Sequence, residues 1–163
     1  PVKDISYKIS LINWVESVYI KNDYKNTIIV NVNEHIPAGI YLGNNALLFN
    51  QKLQIIDYIK EDDENYYKLI KISGKYSLIN SKLLLNSIPH SLLNKVDKAM
   101  YISERRWDII LKNGLYLKLA ENKISDSLEN YIKIIKNISN DELKKIESID
   151  LRIPNKAIIK FIK

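Results

Sequence analysis

Two histidines, 19 carboxylates and 25 basic side chains are the groups with which this chain could do chemistry, and there is no cysteine. Without cysteine there is no disulfide, thiolate metal site or thiol nucleophile. His35 and His90 lie far apart in sequence, each without a second ligand at metal spacing, so both read as surface or loop residues. No HExxH, phosphate-binding glycine loop or G-x-S-x-G elbow occurs. With 4 glycines in all, a phosphate cradle is hard to build. Paired carboxylates such as Asp62-Asp63 sit in the charge run 61–64, which reads as a solvated face, and nothing singles out a pair for two-carboxylate glycan cleavage. The residue types therefore indicate a non-enzyme with no cofactor and no metal. The 11 tyrosines and 2 tryptophans could stack on bases or sugars. Tyr19, Tyr41, Trp107 and Tyr116 all fall in expected strands, which favours packing within a sheet.

The net charge of +6 points first to nucleic acid or acidic membranes. Its make-up argues otherwise. The chain of 163 residues holds 29 Ile, 22 Lys and 18 Asn against 3 Arg, the bias that AT-rich codon usage imposes. Base and phosphate readers favour the bidentate arginine fork, so nucleic acid is not the expected partner. The longest uncharged run, 36–51, is broken by Pro37, Gly39 and Gly43 and is too short to span a bilayer. The chain opens on Pro1 with no initiator Met and no apolar signal core, the pattern of a fragment or processed piece.

The elements follow from hydrophobic period. Ile5, Ile9 and Ile12 mark a short helix over 4–12, and strands follow at 14–20 and 27–34 around the polar turn 21–26. After Pro37 and Gly39 the pattern becomes sheet-rich, with strands at 40–42, 46–49 and 66–72. A helix over 76–87 ends near Pro89. Strands at 99–102, 105–112 and 115–119 come next. Asn113-Gly114 is a type I′ hairpin signal between the last two. A two-residue turn puts Ile110 on a face with Leu115 and Leu117, and Trp107, Ile109 and Leu111 on the other with Tyr116. Both faces being apolar, this hairpin is expected to be covered on each side. Leu128, Tyr131, Ile132, Ile135 and Ile138 form a helical stripe, with Asp126 and Glu129 at capping-box spacing. Strands at 148–153 and 157–162 close the chain around Pro154-Asn155.

That last apolar strand has no chain after it to cover it. An edge strand presents unpaired N–H and C=O groups and can accept a partner strand. Cover of the same edge by residues beyond this sequence, or by another element, is the equal alternative.

Four stretches resemble the periplasmic part of the FtsQ/DivIB family of bacterial cell-division proteins. Trp14-Val15-Glu16-Ser17-Val18-Tyr19-Ile20-Lys21 is similar to a strand of the family's POTRA module, and Glu34-His35-Ile36-Pro37-Ala38 to the exit from it. Ser103-Glu104-Arg105-Arg106-Trp107-Asp108, followed by Leu111 and Asn113-Gly114, is similar to its "RRW" hairpin. Ile149-Asp150-Leu151-Arg152 is similar to a strand near its end. Asn13, Lys25, Ile70 and Ile153 depart from the family pattern, Ile153 standing where an aromatic is usual.

The resemblance implies an α+β chain. Residues 1–41 would be a partial POTRA module, its second helix and last two strands. Residues 42–163 would be a mostly antiparallel β-sheet domain with flanking helices. It further implies a non-catalytic divisome scaffold that binds FtsB-like and FtsL-like partners and controls septal peptidoglycan synthesis. Such a protein sits in the bacterial inner membrane by one upstream transmembrane helix, with this region periplasmic. The partner strand would add at Ala157, Ile158, Ile159 and Phe161, and Arg105, Arg106 and Arg152, beside Ile153, would meet its acidic groups. The alternative is another POTRA-bearing protein that binds or transports polypeptides by strand addition at 27–33.

Overall fold

The computed structural model describes residues 2–22, 27–60 and 63–162. The turn residues 23–26 and the acidic residues 61 and 62 lie outside that description. The chain is α+β. A small N-terminal unit has helix α1 (Val2–Ser10) packed on strand β1 (Val15–Asn22), which pairs antiparallel with β2 (Ile28–Glu34). Val18 opposes Val32 and Ile20 opposes Val30, so one ribbon face is apolar. The β1 side chains on that face are half-buried, whereas every residue of β2 is exposed.

All other strands form one nine-stranded sheet: β3 (Pro37–Leu42), β4 (Ala46–Asn50), β5 (Ile55–Ile59), β6 (Ile70–Ser73), β7 (Val96–Ile102), β8 (Arg106–Leu111), β9 (Tyr116–Lys118), β10 (Ile146–Asp150) and β11 (Ile158–Phe161). Their order is β11-β10-β9-β8-β7-β6-β3-β4-β5, with mostly antiparallel pairs and parallel pairs at β3/β6, β6/β7 and β9/β10. Strand β3 lies in the large sheet, as the sheet-rich pattern after Pro37 and Gly39 suggests, so a module boundary at 41 falls inside a strand of that sheet.

Two parallel pairs need crossovers, and helices supply them. The segment α2 (Ser77–Ser87) with α3 (His90–Leu93) joins β6 to β7, and α4 (Ile124–Ile135) with α5 (Asn140–Leu143) joins β9 to β10. Both crossovers advance the same way across the sheet, from strands running in the same direction. Right-handed crossing then places all four helices on one face. Beneath them runs a register row, Ile72, Ala99, Ile109, Leu117 and Ile149, with 0% exposure at each position. Burying each large member of that row contributes about 2 kcal/mol.

The next row, Ser73, Met100, Asp108, Lys118 and Asp150, points to the opposite face, away from these four helices. The β8–β9 hairpin is thus covered on one side only, against the expectation of two. The cause is the turn. Gly114 N–H donates to Leu111 O, Leu111 N–H to Leu115 O, and only Gly114 of the pair has positive φ, at +85°. This is a three-residue loop with a glycine bulge, not type I′. One extra residue reverses the alternation, so Leu117 joins Ile109, and Tyr116 joins Ile110.

Other boundaries shift for local reasons. Asp63 caps a one-turn helix at Glu64–Tyr66 through the Asn65 N–H, which shortens the strand expected at 66–72 to Ile70–Ser73. The strand Ile55–Ile59 was not anticipated. The expected cap pairing of Asp126 with Glu129 is not used, because α4 starts at Ile124, and the capping box lies instead at Ser139 and Glu142. Among the strand aromatics, Trp107 is buried and Tyr41 and Tyr116 are half-buried, but Tyr19 is exposed.

Candidate partner-binding edge

Strand β11 is an outer strand of the sheet, bonded to β10 alone among the described residues. Ile162 N–H donates to Lys145 O at 2.8 Å, so alternate residues 158, 160 and 162 turn their peptide groups toward β10. The N–H and C=O of Ile159 and Phe161 consequently face outward. The side chains divide as well. Ala157 and Ile159 pack on the helix-side core, whereas Ile158 is 59% and Phe161 56% exposed. An open backbone ladder flanked by exposed apolar side chains is the geometry of strand addition. Arg152 and Ile153, in the segment 151–157 between β10 and β11, are exposed beside it.

Next to this edge the open face carries a charged network. Arg152 grips Asp150 with a fork, Nε to Oδ1 at 2.9 Å and Nη2 to Oδ2 at 2.6 Å. That hydrogen-bonded guanidinium is the main reason the Asp150 carboxyl is held below its ordinary range. Two strands away Arg106 meets Asp108, Nε to Oδ1 at 3.3 Å, and Tyr116 donates to Asp108 Oδ2 at 2.9 Å. Asp108 is 1% exposed, so this carboxylate is buried with its partners supplied by the neighbouring side chains. Burial first, and the Asp108 bond second, push the Tyr116 phenol up to about 12. Lys118 sits in register between Asp108 and Asp150, so sign alternates from strand to strand.

The structure thus brings Arg106, Arg152 and Ile158 to one face and separates Arg105 from them. Arg105 lies at the helix side of the hairpin, 3.9 Å from Glu121 and near Trp107. All three arginines have an intramolecular carboxylate partner. Lys118, Asp108, Tyr116 and Asp150 were not foreseen as members of the site. The signal available was the spacing Arg106-x-Asp108 and Asp150-x-Arg152, since residues two apart on a strand share a face.

The hairpin tip that launches Arg105 and Arg106 is unusual. Ser103 and Glu104 are successive non-glycine residues at φ +52° and +58°. That pair of left-handed residues is the backbone signature sought at Asn113-Gly114. Gly74 supports the tip from below, where a Cβ would stand 2.4 Å from Tyr101 O.

A mixed sheet with its crossover helices on one face and an outer terminal strand defines an α+β domain, and sequence comparison gives its family. The family described as "Cell division protein FtsQ/DivIB, C-terminal" matches residues 40–152, more than half of the chain. The chain belongs to this FtsQ/DivIB family of cell-division proteins. The cell division protein FtsQ of Rickettsia prowazekii is 28% identical over 162 residues, covering 96% of this chain and 58% of that protein. FtsQ of Haemophilus influenzae is 23% identical, covering 93% of this chain and 60% of that protein. The chain therefore spans rather more than half the length of these relatives. The extracytoplasmic domain of the division protein DivIB from Geobacillus stearothermophilus is similar at a TM-score of 0.47 and 12% identity, over 66% of this chain and 99% of that one. Among the described residues, no helix is long and apolar enough to cross a membrane.

Proposed function

We propose that this chain is the partner-binding part of a non-catalytic divisome scaffold. It captures an extended segment of an FtsB-like or FtsL-like protein on the free side of β11, and through that complex regulates septal peptidoglycan synthesis. The observation that carries the reading is the open edge itself, with outward backbone groups at Ile159 and Phe161 between exposed Ile158 and Ile162. Arg152 and Arg106, with Ile153 beside them, present cationic groups at the end of the site where an acidic flank of the partner would lie. Arg105 is the weaker member, because it faces the helix side. In the intact protein an N-terminal segment anchors the body in the inner membrane, and this region stands in the periplasm. The N-terminal unit of α1, β1 and β2 serves as the second half of a POTRA module.

The test is capture of FtsB-like and FtsL-like periplasmic segments by the purified chain. Phe161→Ala and Phe161→Pro are expected to reduce capture at least tenfold in a protein that keeps its near-ultraviolet circular dichroism. Ile159 is a poorer probe, because its side chain packs on the core. Undiminished binding after removal of 157–163 from a still-folded chain overturns the reading.

A second reading has its own observation. Strand β2 is exposed along its whole length, including Ile28, Val30 and Val32. A POTRA-type transport or polypeptide-binding protein would add strands there instead. Val30→Lys would then abolish capture and Phe161→Ala would not.

A further inference from the structure

The helix-covered side of the sheet holds two open cavities that flank α3. The first, about 530 Å³, lies between α3, the β8–β9 turn and the helices α4 and α5, over Leu92, Ile132, Ile135 and Leu143. The second, about 570 Å³, lies between α3, α2 and the start of β3 and β6, over Leu69, Leu85 and Leu93. Asn94 borders both, so they form a trough that passes either side of one helical turn. Neither includes a residue of the β11 edge.

The charge around this trough is one-sided. Lys95, Lys112 and Lys136 rim the first cavity, and Lys68 and Lys82 the second, and among the described residues no carboxylate lines either. All five lysines are exposed, and among the described residues none of them forms an ion pair. Lysines without an ion pair occur elsewhere too, Lys60, Lys98, Lys133, Lys145 and Lys156 among the described residues, but the five of the trough are the ones that border apolar cavities. The side-chain amides of Asn86, Asn94 and Asn140 also border the trough and make no hydrogen bond among the described residues. Such amides match both the donor and the acceptor of a peptide group. Apolar floors, free amides and a cationic rim without ion pairs match one kind of occupant, Lys68 lying over the Tyr67 ring at 5.5 Å.

We infer that this trough is a second docking surface, for an extended acidic segment of a partner protein whose apolar side chains enter the two cavities. The spacing is set by α3, because a helix with its side chains is about 10 Å across. An extended chain rises about 3.3 Å per residue, so apolar anchors three or four residues apart reach both cavities. Aspartate or glutamate between and beside the anchors meets the lysines. The aromatic that lines the first cavity, Tyr131, is buried at 4% exposure and offers no open ring face to a nucleobase, and two open cavities divided by a helical turn do not make the continuous tunnel an acyl chain fills.

The test selects a random 12-residue peptide library on the intact chain and counter-selects on Lys95→Glu/Lys136→Glu. Enriched sequences are expected to place Leu, Ile or Phe three or four apart with acidic residues around them. The best synthetic peptide should bind at least tenfold more weakly to that variant and to Lys68→Glu/Lys82→Glu, and unchanged to Phe161→Ala. The exposed positions leave folding intact, and either lysine pair alone suffices should the other misfold. A consensus without acidic residues, or binding to both lysine variants as tight as to the parent chain, overturns the inference. Enrichment of no peptide overturns it too, whether phosphatidylglycerol vesicles or duplex DNA bind the trough instead or nothing does. Because Phe161→Ala reports on the edge alone, failure here leaves the β11 reading standing, and the converse also holds.

Discussion

Tyr116 donates its phenolic proton to Asp108 Oδ2 at 2.9 Å, reaching from β9 to the neighbouring strand β8 beside Arg106. The bond supplies a buried carboxylate with its nearest donor and is the anchor of the open-face network.

Tyr116→Phe should therefore lower stability at neutral pH by about 1.5 kcal/mol, the usual size of a lost hydrogen bond to a charged group. The sign with pH is set by the raised phenol. Folded, the group holds its proton to about 12, whereas the unfolded chain releases it near 10.0. Its stabilising effect is present below the lower value and is lost as pH rises through the higher one. Chemical denaturation between pH 9 and 12 should show a falling limb in the parent that is reduced in the variant.

Asp150 behaves in the opposite sense. Its carboxyl is lowered chiefly by the Arg152 hydrogen bonds, so this stabilisation is present above the ordinary carboxylate range and is lost as pH falls through the depressed value. Arg152→Ala should move the Asp150 carboxyl carbon titration upward by NMR and flatten the acid limb of stability. Asp150→Asn frees the arginine, and on the proposed function it should raise affinity for an acidic partner segment several-fold. Equal partner affinity in both variants would show that Arg152 serves the fold alone.

Gly74→Ala brings two penalties together. The position has φ +111°, and the new Cβ would meet Tyr101 O, a backbone atom that cannot step aside. A loss of about 3 kcal/mol or more is expected, read as a lowered urea midpoint.

At the hairpin tip the change runs the other way. Replacing Ser103-Glu104 by Asn-Gly places residues suited to left-handed φ where φ is already +52° and +58°. A gain of about 1 kcal/mol is expected, because the forfeited ion pair of Lys75 with Glu104 is solvent-exposed and contributes little.

Trp14 ties the N-terminal unit to the large sheet. Its indole Nε1 donates to Asp57 Oδ2 at 2.7 Å, with the ring against the Ile40, Leu48 and Ile56 cluster. Trp14→Ala should leave the nine-stranded sheet folded while limited proteolysis cuts faster within residues 2–36. Unchanged protection of those residues would place the tie elsewhere.

Much of this architecture was legible in local pattern. The stripe Leu128, Tyr131, Ile132 and Ile135 marked α4, Pro89 marked the break between α2 and α3, and the final apolar run marked β11. These depend on neighbours a few residues apart. The β5 strand escaped notice because Ile55-Ile56 is a short apolar pair with no clear alternation after it. The hairpin faces came out reversed because one bulge residue changes the parity of everything beyond it.

Composition and period alone determined that this chain forms strands and amphipathic helices, lacks thiol chemistry, and closes on an apolar strand next to an arginine. Those are local properties of residue types. Only the tertiary structure decided that β11 is an outer strand, that Asp108 is buried under Tyr116 and Arg106, and that Arg105 and Arg106 part to opposite sides. Each depends on which strand lies beside which, and that choice is made by right-handed crossovers and long-range register across nine strands. The lysines show the same division. Their number is plain in the sequence, but only the placement of α3 beside α2, α4 and α5 gathers five without an ion pair around two apolar cavities.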